Sequence, residues 1–243
     1  MKRVRLDQLL VMRGLFTSRE KARRVIIAGR ILVDGRLRDK PGKEVDTTCD
    51  LTVLAGQKYV GRGGEKLEAA IEEFGVTVRD KECLDIGAST GGFTDCLLQS
   101  GAARVIAVDV GYGQLARALR VDTRVTILER TNARYLQRAD LPYEPELVTI
   151  DVSFISLKLI FPAVKRIVKK GADIIALIKP QFEARRGEVR RGGVILDELV
   201  HTRIKSEIRA FSEAHGFTVK GLIESPLRGP AGNREFFIHL RAG

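Results

Sequence analysis

The stretch Asp85-Ile86-Gly87-Ala88-Ser89-Thr90-Gly91-Gly92-Phe93 closes an apolar run that starts at Cys83 and hands the chain on to a segment with helical spacing. Glycine at 87, 91 and 92 lets the backbone pass close to a ligand before a helix begins. The spacing is Gly-x-x-x-Gly-Gly, not the Gly-x-Gly-x-x-Gly that seats a pyrophosphate on a helix N-terminus. Working outward, apolar strand-like runs recur at Cys83 to Gly87, Val105 to Asp109, Val125 to Leu128, Leu147 to Asp151, Ile174 to Ile178, Phe217 to Ile223 and Phe236 to Leu240, with helical patterns between them. Alternation of this kind predicts an α/β domain with a mostly parallel seven-stranded sheet, Rossmann-like, covered by helices on both faces. Ahead of the first run, Leu67, Ala70, Ile71 and Phe74 stand at i, i+3, i+4 and i+7 and mark a helix.

The rest of the 243 residues bounds the alternatives. The chain carries 42 Lys and Arg against 31 Asp and Glu, a net charge of +11, and the excess is uneven. Residues 1–62 hold 15 basic and 7 acidic side chains, net +8, whereas the remainder is close to balanced. Cys49, Cys83 and Cys96 show no paired spacing, which argues against a disulfide framework or a zinc site and predicts reduced thiols and no metal. No apolar run reaches the roughly 20 residues of a bilayer span, and Met1 to Arg5 does not lead into a signal-peptide core, so the expected compartment is the cytoplasm, with no membrane partner.

The basic front segment has its own pattern. Leu6, Leu9 and Leu10 lie at helical spacing from Arg5; Thr17-Ser18-Arg19-Glu20 reads as a capping box opening a second helix; Gly29 closes it. Ile31-Leu32-Val33 and then Asp34-Gly35 predict a short strand entering a tight hairpin, with a further turn at Lys40-Pro41-Gly42. This is a small α+β domain, expected over residues 1–58, followed by a glycine-containing linker at 59–64 and the α/β domain at 65–243. Arg19, Lys21, Arg23, Arg24 and Arg30 are spaced to form a cationic face that suits phosphate oxygens and equally a solvated helix surface.

In doubly wound sheets the ligand lies beyond the carboxyl ends of the strands, so the residues closing each run are the candidates. Asp85 at the loop entrance would face the ammonium or sulfonium side of a cationic ligand, which favours S-adenosylmethionine over a dinucleotide. Asp109 closes the second run, where a carboxylate accepts ribose hydroxyls; it equally suits a turn. Asn132, after the third run, would meet an adenine edge or simply cap a turn. After the fourth run stands Asp151-Val152-Ser153-Phe154, not the Asp/Asn-Pro-Pro-aromatic signature of exocyclic-nitrogen methylation, and none of the three cysteines is placed as a nucleophile for carbon methylation. What remains is charge at element ends: Lys66, Asp151, Lys179 and Glu235, each of which alone also reads as a surface ion-pair partner.

Two resemblances connect these residues. Arg5 to Leu10, Ser18 to Ala22 and Ile27 to Gly35, continuing to about Leu54, resemble the RNA-binding module named after ribosomal small-subunit protein four. Tyr59 to Leu67, Asp85 to Asp95, Asp151 to Ser156, Ile178 to Glu183 and Gly232 to Phe237 resemble the TlyA family, sometimes called haemolysins, within the FtsJ-like ribose 2′-O-methyltransferases. The resemblance implies S-adenosylmethionine as cofactor, held by Asp85, Gly87, Ala88, Ser89, Gly91, Gly92, Phe93, Asp109 and Asn132. It also implies cytidine 2′-O-methylation of ribosomal RNA within ribosomal subunits, with Lys66, Asp151, Lys179 and Glu235 as a Lys-Asp-Lys-Glu tetrad. A second ammonium beside a lysine favours its neutral form, which points to Lys179 as base and Lys66 as its helper. Arg5 and Arg62, with Arg185, Arg186 and Arg228 in the Arg/Gly-rich loops 182–193 and 226–234, complete the expected RNA contacts. The competing readings are a non-catalytic RNA-binding or ribosome-assembly factor with the same fold, and a membrane-active haemolysin.

Overall fold

The computed structural model describes residues 3–27, 29–54, 56, 58–189 and 192–243. The chain divides into two compact units, 1–57 and 58–243.

The first unit runs β1 (Arg3–Arg5), α1 (Leu6–Met12), α2 (Arg19–Ile27), β2 (Ile31–Val33), β3 (Arg36–Arg38), β4 (Glu44–Asp46) and β5 (Leu51–Val53). Leu6, Leu9 and Leu10 of α1 meet Ala22 and Ile26 of α2 over Ile31 and Val33 of β2, all buried. The β2–β3 hairpin turns at Asp34 and Gly35, with φ of +50° and +71°, which is the conformation this dipeptide tolerates. The second helix begins at Arg19 instead of Thr17: Ser18 Oγ accepts the Lys21 N–H at 3.3 Å, and Glu20 pairs with Arg24 along the helix instead of closing a capping box. The pairing of β1 with β4 has no counterpart in the sequence reading, because three-residue strands carry too few residues to show a period.

The second unit comprises α3 (Gly63–Phe74), β6 (Glu82–Ile86), α4 (Gly92–Gln99), β7 (Arg104–Val108), α5 (Arg117–Arg120), β8 (Val125–Leu128), β9 (Leu147–Ile150), α6 (Phe161–Ile167), β10 (Asp173–Ile178), α7 (Pro180–Glu183), α8 (Glu198–Ala214), β11 (Phe217–Glu224) and β12 (Phe236–Ala242). The strands form one seven-stranded sheet in the order β11-β12-β10-β9-β6-β7-β8, with only β12 running against its neighbours. Alternate residues of each strand feed opposite cores: Leu84 and Ile86 join Phe161, Ile204 and Ile208 on one face, and Cys83 joins Leu67, Leu97 and Phe237 on the other. Order reverses at β6, whose neighbours are β7 and β9, so the crevice beyond Ile86 and Ile150 is the topological switch point. Residues 59–64, expected as a linker, are packed into this unit: Tyr59 is buried, the Val60 N–H donates to Asp95 Oδ2 at 2.9 Å, and Gly63 and Gly64 begin α3.

Candidate active site

Beyond β6 the chain leaves the sheet at Gly87, with φ +86°, where an added Cβ would overlap the carbonyl oxygen of Asp151. The Asp151 N–H in turn donates to the Ile86 carbonyl at 2.9 Å, so the ends of β6 and β9 are in backbone contact. Only glycine permits that approach. The crevice opens into a cavity of about 530 Å³ lined by Gly87, Ser89, Asp109, Asn132, Asp151 and Ser153 among polar or small groups, and by Ile86, Val108, Ile155 and Ile160 on its apolar wall. Among the described residues its lining contains two carboxylates and no lysine or arginine. In a chain of net charge +11 that is a local reversal, and it suits a cationic ligand with an apolar ring system.

Asp109 closes β7 with both oxygens engaged by the backbone, Oδ2 accepting the Ser89 N–H at 2.7 Å and Oδ1 the Gly111 N–H at 2.6 Å. A carboxylate has about four lone-pair sites, so it is oriented and still able to accept two hydroxyls. Asn132 Oδ1 caps the short turn after β8 by accepting the Arg134 N–H at 3.1 Å, leaving its NH₂ as the donor for the cavity.

Four expected ligand contacts belong to the packing beneath the cavity. Asp85 is fully buried and lines no part of it: its neighbour Cys83 feeds the α3/α4 face, strand alternation sends Asp85 the same way, and it accepts Thr94 Oγ1 at 2.6 Å and Thr149 Oγ1 at 3.0 Å. Burial raises its carboxyl to about 7 against the opposing effect of those two hydroxyls. Gly91, at φ +99°, leaves room for the side chains of Leu115 and Leu119, and Gly92 lies against the backbone of Gly61, Gly63 and Gly64. Phe93 is buried against Phe237, with ring centroids 6.2 Å apart. Ala88 sits behind Asp109, also off the main cavity. Gln114, Thr131 and Ser153, which do line it, carried no signal beyond their positions in loops.

The tetrad residues gather at the same edge. Ile178 of β10 pairs with Phe236 of β12 and Ala176 with Ile150 of β9, so Lys179, Glu235 and Asp151 leave three adjacent strands at one end. Lys66, on the first turns of α3, completes the group. It splits into two ion pairs: Lys66 Nζ to Glu235 Oε2 at 2.6 Å, both side chains buried, and Lys179 Nζ to Asp151 Oδ1 at 2.6 Å, both partly open. Lys179 Nζ also donates to Ser153 Oγ at 3.0 Å. Asp151 belongs both to this cluster and to the cavity wall, which places the more accessible lysine beside the ligand space.

The Arg/Gly-rich loops are tethered. Arg185 donates to Glu207 Oε1 at 3.1 Å, Arg203 bridges Glu188 and Glu207 at 2.5 Å each, and Arg203 and Lys158 hold the Glu207 carboxylate well below its usual range, near about 2. Asn233, buried and overlooked in the sequence, ties one loop to the other by donating to the Gly193 carbonyl at 2.7 Å and accepting the Ile195 N–H at 2.9 Å. Arg62, Arg186 and Arg228 are exposed; Arg190 and Arg191 lie outside the described residues. In the first unit Arg5 and Arg19 are both fixed on the buried Asp7, at 3.1 and 2.9 Å, Arg30 donates to the Leu54 carbonyl at 2.9 Å, and Lys21 to Thr17 Oγ1 at 3.1 Å. Arg23 and Arg24 are exposed beside Arg19 along α2.

Comparison with known proteins agrees with this geometry. A family model described as FtsJ-like methyltransferase matches residues 59–242, and one described as S4 domain matches residues 4–50. The chain is 46% identical over 242 residues to the 16S/23S rRNA (cytidine-2′-O)-methyltransferase TlyA of Mycobacterium tuberculosis, covering 99% of this chain and 90% of that protein. It is 41% identical to Hemolysin A of Brachyspira hyodysenteriae, covering 98% and 99% respectively. A solved structure of a protein described as a hemolysin from Streptococcus thermophilus superposes with a TM-score of 0.77 at 44% identity, covering 100% of this chain and 89% of that one. With the catalytic-unit match extending over three quarters of its length, this chain belongs to the FtsJ-like methyltransferase family and carries an S4 domain ahead of the catalytic unit.

Proposed function

We propose that the chain transfers the methyl group of S-adenosylmethionine to the 2′-hydroxyl of a cytidine in ribosomal RNA, acting on ribosomal subunits in the cytoplasm. The observation that carries this reading is the Lys179–Asp151 ion pair at the wall of a partly apolar cavity whose described lining holds two carboxylates, with the buried Lys66–Glu235 pair at the same end of the sheet. The names of the relatives supply the cytidine and the ribosomal RNA.

The cavity fits the donor. Gly87 gives a side-chain-free floor, Asp109 a preoriented carboxylate for the ribose, Asn132 a donor for the adenine edge, and the absence of cations among the described lining residues suits a sulfonium. When bound, S-adenosylmethionine supplies an electrophilic methyl group on sulfur.

A ribose hydroxyl is a very weak acid and must be aimed and deprotonated as it attacks. Lys179, in its neutral form, takes that proton; Asp151 and Ser153 hold its Nζ in place. A donor held by Gly87, Asp109 and Asn132 would supply the methyl carbon to which the 2′-oxygen binds, with its sulfur departing as a thioether. Lys66 and Glu235, as a buried pair, tie the start of β12 to α3 at the same end of the sheet. Phe154, 90% exposed at the cavity mouth, offers a ring face for the target base. The exposed arginines of α2 and of the two loops supply phosphate contacts.

The test is incubation of the purified chain with labelled S-adenosylmethionine and bacterial ribosomal subunits, followed by mapping of 2′-O-methyl nucleotides. Transfer to a cytidine ribose, lost in Lys179→Ala, is expected; donor binding with no transfer to either subunit would leave the RNA-binding-factor reading. The haemolysin reading has no membrane-spanning helix to draw on among the described residues.

A further inference from the structure

Glu183, at the end of α7, is a partly buried carboxylate to which the reaction above gives no role. Its Oε2 accepts the Ser156 hydroxyl at 2.6 Å and its Oε1 the Leu157 N–H at 2.7 Å. Lys158, the cation whose field acts on it, pairs instead with Glu207 at 3.0 Å. Burial therefore keeps the Glu183 carboxyl above its ordinary range. Among the described residues no cation pairs directly with it; desolvating such a carboxylate is costly, and the arrangement persists where the two bonds it makes are needed.

Those bonds close a loop. Asp151 to Ser156 leaves β9, carries Asp151 and Ser153 to Lys179, and returns at Ser156, whose Oγ also accepts the Lys158 N–H at 3.1 Å to cap the turn Leu157–Leu159. Midway, Phe154 holds φ +63°, a left-handed conformation that a non-glycine residue keeps only where its surroundings enforce it. Its ring packs on Phe182 at 5.0 Å. Beyond the backbone bond of Asp151 to Ile86, side chains of the segment 179–183 hold the loop at three points: Lys179 at the start, Phe182 at the tip and Glu183 at the return.

The geometry points to Glu183 as a positioning residue: it clamps the loop 151–156 to α7, so that Asp151, Ser153 and Phe154 keep the reacting hydroxyl in line with the donor. The inference rests on the methyl-transfer reading and adds to it a residue that touches neither substrate nor donor.

The test uses the full chain carrying Glu183→Ala, Glu183→Gln and Ser156→Ala, read by steady-state transfer to ribosomal subunits, calorimetric donor binding, and hydrogen exchange of residues 152–157. Glu183→Ala is expected to lower kcat about 10- to 100-fold, the scale of a small misplacement of reacting groups, with donor affinity within about twofold and exchange accelerated in 152–157 but not in 85–92. Glu183→Gln keeps an acceptor for Leu157 and offers an N–H to Ser156, and is expected to recover most of the rate. Ser156→Ala removes one of the two bonds and is expected to give a smaller loss of the same kind.

Rates within twofold of the parent in Glu183→Ala, or a uniform rise in exchange with parallel loss of donor affinity, would overturn the assignment. If Glu183→Ala does not fold, an unchanged rate and exchange pattern in Ser156→Ala overturns it instead. Exchange does not depend on turnover, so a parent chain that transfers no methyl group would sink the methyl-transfer reading while the contrast between 152–157 and 85–92 still decides whether the clamp exists.

Discussion

Lys66 and Glu235, 169 residues apart in the chain, meet with Nζ 2.6 Å from Oε2, the lysine side chain 8% exposed and the glutamate fully buried. Glu235 Oε1 is buried without a hydrogen-bond partner among the described residues, and Gly229 lies so close that an added Cβ would overlap it. Removing one member of such a pair leaves an uncompensated charge, worth about 3–5 kcal/mol, whereas removing both charges together is close to neutral. Lys66→Ala is therefore expected to lower the unfolding free energy of the catalytic unit by that amount. The double variant Lys66→Met/Glu235→Gln is expected to restore most of it while transfer stays low. Urea denaturation of both, alongside the transfer assay, checks this; a double variant as unstable as the single one would show that packing, not charge, is what the pair provides.

Lys179 and Asp151 form the more open pair, and only Asp151 of the two lines the cavity. Lys179→Ala is accordingly expected to reduce methyl transfer by about 10²–10⁴-fold, the usual contribution of a positioned proton acceptor, with donor affinity within about threefold. Asp151→Asn is expected to disturb both quantities. Calorimetry with S-adenosylmethionine and single-turnover transfer separate the two, and a Lys179→Ala chain with parental turnover would remove the base from the mechanism.

The sheet was legible because each strand is an apolar run closed by a charged residue or glycine: Ile174 to Ile178 ends in Lys179, and Leu147 to Ile150 ends in Asp151. Those closures also pointed at the edge of the sheet where Lys179, Asp151 and Glu235 lie together. What the runs could not convey is the direction of side chains within the loop after β6. Asp85 was expected to face the ligand, but alternation along β6 turns it toward Thr94 and Thr149, and Phe93 turns likewise to Phe237. Asn233 and Glu183 act through bonds to residues 26–40 positions away, which no local spacing reveals. The front module was readable at Asp34-Gly35 and along α1, but the burial of Asp7, which decides how Arg5 and Arg19 are held, depends on α2 packing back over it.

Asp85 gives the catalytic unit a distinctive pH dependence. An unfolded aspartate titrates near 3.9, whereas in the fold burial holds this carboxyl protonated up to about 7. Below pH 4 both states carry the proton and the group contributes no pH dependence. Between pH 4 and 7 the unfolded chain releases it and the folded chain does not, so stability declines as pH rises, by up to about 4 kcal/mol, and levels off above pH 7. Asp85→Asn keeps an amide oxygen for one threonine and has nothing to ionise. The difference in unfolding free energy between Asp85→Asn and parent, measured in urea at pH 5 and pH 8, is expected to grow in favour of the variant at the higher pH, with the other carboxylates cancelling. A difference independent of pH would mean that the carboxylate is ionised in the fold.

The S4 unit supplies the last prediction. Arg5 and Arg19 are anchored on Asp7, so their guanidinium planes are preset, while Arg23 and Arg24 are exposed on α2, the helix that carries Arg19, with Arg24 paired to the exposed Glu20. If α2 lies along an RNA backbone, each contact releases counterions, and the slope of log affinity against log salt changes by about 0.7–0.9 per phosphate lost. Arg23→Ala/Arg24→Ala removes two exposed cations and leaves the Asp7 anchor intact. Its slope for ribosomal RNA fragments is expected to fall by about 1.5, with donor binding unaltered, since each compact unit has its own core. Fluorescence anisotropy between low and moderate salt measures the slope directly. An unaltered slope with a uniformly weaker affinity would place the helix away from the phosphates and leave the loops bearing Arg186 and Arg228 as the principal RNA contacts.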